Sequence, residues 1–591
     1  MRRLGFADRA DFLRYSREDP ERFWDEMMRE MRVEWFHPYH QVLDLSNGPE
    51  WAQWFTGGRV NIAHNCLDRW AAPGAGGAQR LACIWESENG ATRRVTFAEL
   101  LRDANRVANG LAALGLEPGD RVALALPMIP EILAILYGCF KRGLTVVPVF
   151  AGFGPSAIAA RLSDSGARAL FTAPRLGRRG KSLPLAAKMP AVEHTILVGS
   201  GPLFADQPDA APTASLDSET RAFLLYTSGT TGRPKGAIHT HAGCLAQTGK
   251  EIWLAFDHRD TDRFFWLSDI GWMMGPWTIL GNHLFGGAIF LYDGAPDYPA
   301  PTRLWEMIER HGITTFGVSP TAIRMLSKSA AELPQMPSLR LLGSTGEPWD
   351  EASWMWFFER VGRRRCPIIN ISGGTEIAGS FLLPLPIQPL KPCSLGGPSP
   401  GMAAEVVDER GLPVRGRTGY LVCTRPAPSM TRGIWGDPQR YLDTYWSRFP
   451  GMWYHGDWAS VDEDGHWFLH GRADESMNVA GRKVGPAEVE EAMLQHPGVA
   501  EAAVIGVPDE LKGEAIVGYA VPRPGAVLDP AAICATVAEA LGPMFRPREI
   551  IVALELPKTQ SGKIVRRLLR QKYLGETLGD LSTVANPTAL E

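Results

Sequence analysis

The sequence predicts an α/β protein: a large N-terminal part of several subdomains, with parallel βαβ sheets and a β-barrel-like portion, followed by a small α+β domain. Three observations carry this. Between about 80 and 350, short apolar runs alternate with helical segments; after about 400 the pattern changes to β-hairpins; and 591 residues suffice for roughly three to four folding units. Several cores with clefts between them follow from that length.

Residues 1–80 are rich in Trp, Arg and acids (FWDEMM, VEWFHPYH, EWAQWF) and read as a helical collar on a larger body. From 81 to 472 runs the main domain. RVALALP (121–127), GLTVVPVF (143–150), GAIFLY (287–292) and ITTFGVSP (313–320) have the length and β-branched content of buried strands, and FAELLRDANRVANGLAALG (97–115) has the periodicity of a helix. AAEVVDERGLPV, TGYLVC and GHWFLHGR read as hairpins, with Asp464-Gly465 at a tight turn. A boundary is expected near Arg472 to Glu475, and 473–591 is the α+β module.

The 61 basic and 65 acidic residues give a net charge of −4, which argues against nucleic acid or an anionic membrane as partner and for a small-molecule enzyme. Eight cysteines lie far apart with no Cys-x-x-Cys pair, against a zinc ribbon or a disulfide framework, so a reducing cytoplasm is the expected compartment. The apolar run Ile132 to Phe150 is broken by Lys141 and Arg142, and the start MRRLGFADRADFLRYS lacks an apolar signal core, so neither a membrane span nor an export signal is expected.

YTSGTTGRPKG (226–236) collects glycines, hydroxyls and two cations after the apolar run AFLLY. Backbone N–H groups, hydroxyls and one Lys suit the oxygens of a polyphosphate, although a flexible linker has the same composition. A Walker A loop is excluded, because Pro234 stands where glycine must precede the lysine. ISGGTEIAG (371–379) offers a Thr-Glu pair, which alone could be a helix cap; YHGDW (454–458) and HGRADE (470–475) offer an acid and an arginine, which alone could be a surface ion pair. ELPKTQSGKIVRRLLRQK (555–572) puts Ile564, Val565, Leu568 and Leu569 on one helical face and Arg566, Arg567 and Arg570 on another, with a lysine just upstream.

Together with GSTGEP (343–348), these segments resemble, in order and over nearly the whole chain, the motifs of the adenylate-forming superfamily. The collar, GWMMGP (271–276) and TLGDLSTVANP (577–587) are similar to its acetyl-CoA synthetase-like branch. The resemblance implies an ATP-dependent acid–CoA ligase that forms acyl-AMP and then acyl-CoA, with ATP, Mg²⁺ and CoA as its small molecules and no prosthetic group. It further implies that Thr227, Ser228, Gly229, Thr230, Thr231 and Lys235 hold phosphates, that Gly346, Glu347 and Pro348 face adenine, and that Asp457 and Arg472 meet the ribose. Thr375 and Glu376 bind phosphate and metal, Lys563 is the catalytic lysine on a mobile C-terminal domain that pivots at Asp474, and Lys483, where close relatives have Arg, pairs with phosphate as a point charge.

For CoA the resemblance implies Arg178 and Lys181 on the basic loop RLGRRGKS, which could equally be solvated cations, and Gly481 at the pantetheine tunnel. The acyl pocket falls to Trp272, Met273, Met274, Thr345 and Gly373. Acetate-specific relatives carry Trp at the position of Gly373; an indole covers about 150–250 Å², so its absence is expected to open the pocket to a short- to medium-chain acid larger than acetate, and Gly373→Trp to shift preference toward acetate. Acetate and acetoacetate remain alternatives, as do a carrier-protein-loading enzyme and a nucleotide-binding regulator without catalysis.

Overall fold

The computed structural model describes residues 5–591 except 73, 200, 228–233, 330–331, 474, 476, 480–481, 510–512, 560–561, 580 and 582–583. Two large sheets dominate it. One has six strands in the order His194–Leu197, Ala169–Thr172, Arg121–Ala125, Thr145–Pro148, Arg221–Thr227 and Lys235–Thr240, parallel except for the last pair. The other has seven, Ile368–Asn370, Leu341–Ser344, Thr315–Val318, Arg263–Trp266, Ala288–Asp293, Leu81–Ser87 and Thr92–Thr96, again with one antiparallel edge strand. Their central strands are apolar on both faces because helices cover both faces, which is why they read as continuous hydrophobic runs.

Local chemistry sets the element boundaries. The helix Phe97–Ala113 starts at a capping box in which Thr96 and Glu99 satisfy each other's backbone N–H groups. In the collar, Asp8 and Asp19 cap the helices Arg9–Glu18 and Pro20–Glu30, which bury Phe12, Phe23 and Trp24 in the main core. The apolar stretch after residue 130 is the buried helix Glu131–Lys141 followed by the strand Thr145–Pro148, and Lys141 ends that helix in an ion pair with Asp68 at 2.7 Å. Among the described residues no helix is long and apolar enough to cross a membrane.

The part expected to be barrel-like is a four-stranded antiparallel sheet, Ala404–Val407, Gly419–Cys423, Trp453–Val461 and Trp467–Arg472, whose last turn at Asp464-Gly465 is closed by Gly465 N–H donating to the Asp462 carbonyl at 3.0 Å. From Met477 onward the chain builds a separate sheet and core, with Gly513–Pro522 between Val499–Asp509 and Glu549–Val552. The strand Lys235–Thr240 pairs back on Arg221–Thr227, so that Thr227 and Lys235 end up opposite each other. The arginine face of the helix Arg566–Leu574 is not solvated at Arg566, because Glu490 at 2.7 Å and Glu475 at 3.3 Å draw that guanidinium inside.

Candidate active site

The hairpin leaves Thr227 and Lys235 facing each other at its base; Ser228, Gly229, Thr230 and Thr231 lie outside the described residues. Lys235 Nζ is 3.4 Å from the hydroxyl of Tyr445 and 5.3 Å above the centre of its ring. That ring lies nearly parallel to the indole of Trp453, at 4.3 Å and 7°. The Tyr445 hydroxyl donates to Glu376 Oε1 at 2.7 Å.

Glu376 sits on the single turn Thr375–Ile377, followed by Ala378 at φ +47°, a left-handed conformation that costs a residue with a Cβ about 1–3 kcal/mol. The turn is fixed where Thr431 N–H donates to the Glu376 carbonyl at 2.7 Å. Burial alone would push the Glu376 carboxyl up, but the His455 ring, the Tyr445 hydroxyl and the Lys235 ammonium outweigh it and hold the group below the usual carboxylate range. Beneath Thr375, burial pushes His239 down to about 4, so that ring is neutral at pH 7.

These residues fit a magnesium ion carried by a nucleotide. The Glu376 carboxylate stays charged, and no cluster of three or more ligating side chains occurs among the described residues. Mg²⁺ takes one or two carboxylates and completes its shell with phosphate oxygens and water, whereas an all-protein cage would need more ligands.

Asp457 and Arg472 stand opposite each other in adjacent strands, with Oδ1 and Nη1 3.5 Å apart, and Arg472 also donates to the His455 carbonyl at 2.9 Å. His455 Nε2 lies 3.6 Å from Asp457 Oδ2 and 3.4 Å from the Gly373 carbonyl oxygen. His455 therefore joins the Asp457–Arg472 pair to the Gly373 strand. Gly346 is exposed at φ +109°, and Glu347 beside it accepts from Thr321 N–H at 2.7 Å and pairs with Arg324 at 2.8 Å. Pro348 follows, half-buried.

The C-terminal module approaches at this point. A Cβ on Gly562 would be 2.6 Å from Thr321 Cγ2, so the turn carrying Lys563 rests on the same helix start that Glu347 caps. Thr559 N–H donates to the Lys563 carbonyl at 2.8 Å and Lys563 N–H to Thr559 Oγ1 at 3.1 Å, and the Lys563 side chain is exposed. Asp474 and Gly481 lie outside the described residues; Lys483 is opposite Asn478 in the strand Arg482–Val484.

Of the residues expected at the acyl pocket, Trp272, Met273 and Met274 are half-buried at the start of the helix Met274–His283, and Thr345 donates to the Ile371 carbonyl at 2.8 Å. Gly373 corrects the sequence reading. A Cβ there would lie 1.9 Å from the Gly379 carbonyl oxygen, so the main chain of the strand Gly379–Leu382 occupies the direction a side chain would take. The missing indole is replaced by backbone rather than by open space, and Gly373→Trp would displace that strand instead of trimming a pocket.

What holds that strand is a buried carboxyl. Glu251 accepts from Ser380 N–H and Gln247 Nε2 at 2.7 Å, from the Ser380 hydroxyl at 2.6 Å and from Trp277 Nε1 at 2.7 Å, with Lys250 Nζ 3.6 Å away. Burial pushes Lys250 down to about 8. Ahead of Trp272, Asp269 accepts from Gly271 N–H at 2.9 Å through Oδ1, while its buried Oδ2 has no hydrogen-bond partner among the described residues; burial pushes this carboxyl up to about 7. Sequence reasoning missed Tyr445, Glu251 and Asp269. Only Lys250-Glu251 carried a signal, as an adjacent pair of charges inside the otherwise uncharged helix His241–Leu254.

Arg178 and Lys181 face each other across the tight hairpin of Arg175–Arg178 and Lys181–Pro184. Lys181 is exposed, whereas Arg178 pairs with Asp293 at 2.9 Å and would have to leave it to meet a phosphate. A separate cavity of about 890 Å³ opens where Tyr420, Trp458 and His470 face Gly485 and Glu488, and none of the residues assigned above lines it.

Residues 69–435 match the AMP-binding enzyme family, 488–563 the AMP-binding enzyme C-terminal domain and 9–66 the acetyl-coenzyme A synthetase N-terminus. An acetyl-coenzyme A synthetase of Streptomyces avermitilis is 40% identical over 618 residues, spanning 98% of this chain and 94% of the relative. One from Mycolicibacterium smegmatis is 40% identical over 611 residues, and the alignment spans 96% of this chain but 64% of the relative's length. Among solved structures, the acetoacetyl-CoA synthetase from Streptomyces lividans superposes with a TM-score of 0.89 at 29% identity, covering 99% of this chain and 93% of that one.

Proposed function

The chain belongs to the AMP-binding enzyme family, and from that premise we propose that it is an AMP-forming acyl-CoA synthetase acting on a short- to medium-chain carboxylic acid larger than acetate. The observation that carries the reaction class is the meeting of Lys235, Glu376, His455, Asp457 and Arg472 along one wall, with the Lys563 turn brought to the neighbouring Glu347 segment.

In the first half-reaction a carboxylate oxygen attacks the α-phosphorus of ATP and pyrophosphate leaves with the bonding electrons. In the second, the CoA sulfur attacks the acyl carbonyl, its proton is lost, and AMP departs. Mg²⁺, when bound at Glu376, offsets charge on the phosphates. Lys235 and Thr227 receive phosphate oxygens at the hairpin base, Asp457 accepts from the ribose hydroxyls, and Arg472 keeps that acid oriented. Lys563 supplies a cation where charge builds on the α-phosphate during adenylation; one preorganised contact of this kind is worth roughly 3–4 kcal/mol. Arg178 and Lys181 take the CoA phosphate.

The acid is the finer part of the reading. Methionine has three rotatable bonds and refills irregular space, so Met273 and Met274 support a pocket that adapts to more than two carbons. Acetate is the second reading, favoured by the main chain against Gly373 and by the names of the relatives. A panel of acids from two to eight carbons, with acetoacetate, assayed for pyrophosphate release and for CoA-dependent AMP release, tests both: highest kcat/KM on acetate overturns the larger-acid reading. AMP release that ignores CoA would point to carrier-protein loading, and no pyrophosphate with any acid would leave only a nucleotide-binding regulator.

A further inference from the structure

Tyr445 was invisible in the sequence and touches both charged groups at the phosphate end of the site. We propose that Tyr445 is a positioning residue that fixes the Glu376 carboxylate so that Oε2 alone is presented to the metal of MgATP; this rests on the assignment of Glu376 as the metal-binding acid. Three features of the geometry carry it. The hydroxyl donates to Oε1 at 2.7 Å and so occupies that oxygen. Oε2 lies over Gly374, where a Cβ would come within 2.9 Å of it, so the glycine spares that oxygen the crowding of a side chain at 374. The phenol cannot swing freely, because its ring is stacked on Trp453 at 4.3 Å and 7° and roofed by the Lys235 ammonium at 5.3 Å.

The arrangement has a chemical logic. A carboxylate free to rotate offers a metal two equivalent oxygens and loses rotamer freedom on binding, whereas one already held by a donor on Oε1 meets the ion in a single geometry. Tyr445 also lies within 3.4 Å of Lys235 Nζ, so one hydroxyl sets the spacing between the group for the phosphates and the group for their counter-ion. Trp453 reaches on from the stack to His455 Nδ1 at 3.4 Å, which ties the same unit to the Asp457 side of the wall.

The test compares ATP binding to the full chain, by calorimetry, with excess Mg²⁺ and with EDTA, in wild type, Tyr445→Phe and Glu376→Gln. Phe keeps the ring on Trp453 and deletes only the hydroxyl. The factor by which Mg²⁺ tightens ATP binding should fall about tenfold in Tyr445→Phe, as expected for one hydrogen bond to a charged group. Its metal-free ATP affinity should fall by less than the Mg²⁺ factor does, and the KM for the acid should stay within about twofold of wild type, a pattern that general loosening of the fold would not give. An unchanged Mg²⁺ factor in Tyr445→Phe, with a reduced factor in Glu376→Gln, overturns the proposal alone. Unchanged factors in both overturn the metal assignment and the proposal with it. Should Tyr445→Phe fail to fold, Trp453→Phe, which keeps the hydroxyl and loosens the stack, must lower the Mg²⁺ factor several-fold for the proposal to stand.

Discussion

The proposed nucleotide wall and the proposed acyl wall both bury acids, and they treat them in opposite ways. Glu376 is surrounded by a hydroxyl, an imidazole and an ammonium and is held below the usual carboxylate range in spite of burial. Asp269, with one backbone donor and one oxygen without a partner, is pushed up to about 7. Burial penalises charge at both places, so the count of donors and cations decides. Behind the main chain that abuts Gly373, Glu251 gathers donors from Ser380, Gln247 and Trp277. A substitution on the first wall should therefore be felt in rate and binding, and one on the second in stability.

The largest expected effect breaks the acyl wall. Glu251→Ala strips the partner from a fully buried Lys250 and should cost about 3–5 kcal/mol in thermal or denaturant unfolding. If the folded fraction binds MgATP as tightly as wild type does, the division between the walls stands. On the other side, Lys563→Ala should slow pyrophosphate release about 10²- to 10³-fold with little change in stability. It should leave thioester formation from supplied acyl-AMP intact, and equal loss of both half-reactions would remove the assigned role.

Asp269→Asn sharpens the contrast through pH. Because its folded pKa is raised to about 7, Asp269 favours the folded state below the unfolded value near 3.8, and that contribution is lost as pH rises through about 7. The stability of the Asn variant relative to wild type should thus improve by on the order of 1–3 kcal/mol between pH 4 and pH 8. A flat difference across that range would mean that Asp269 is not desolvated as described. The smallest effect concerns selectivity: Met274→Ala should raise kcat/KM for longer acids relative to shorter ones by about tenfold, within the roughly 1–3 kcal/mol that a pocket assigns to each methylene. An unchanged ranking would take Met274 out of the pocket.

Much of the fold was legible because its signals are local. The helical periodicity of 97–115, the turn at Asp464-Gly465 and the buried-strand runs each sit within a few residues of the structure they dictate. The charged residues of the nucleotide wall were equally accessible, since their identity, order and spacing match a family pattern. The acyl wall was misread at Gly373, because a missing side chain says nothing of what fills its place, and Gly379 fills it by main-chain contact within 1.9 Å of where a Cβ would be.

The amino-acid order by itself determined the parallel sheets and supplied the candidates for phosphate, metal and ribose, since those depend on residue type and short-range periodicity. Tertiary structure alone decided that Tyr445 reaches Glu376 across 69 positions, that Glu251 fastens Ser380 across 129, and that Arg566 is drawn inside by Glu490. Such contacts are set by how sheets and helices stack, and whether a buried acid keeps or loses its charge depends on donors brought in from distant parts of the chain.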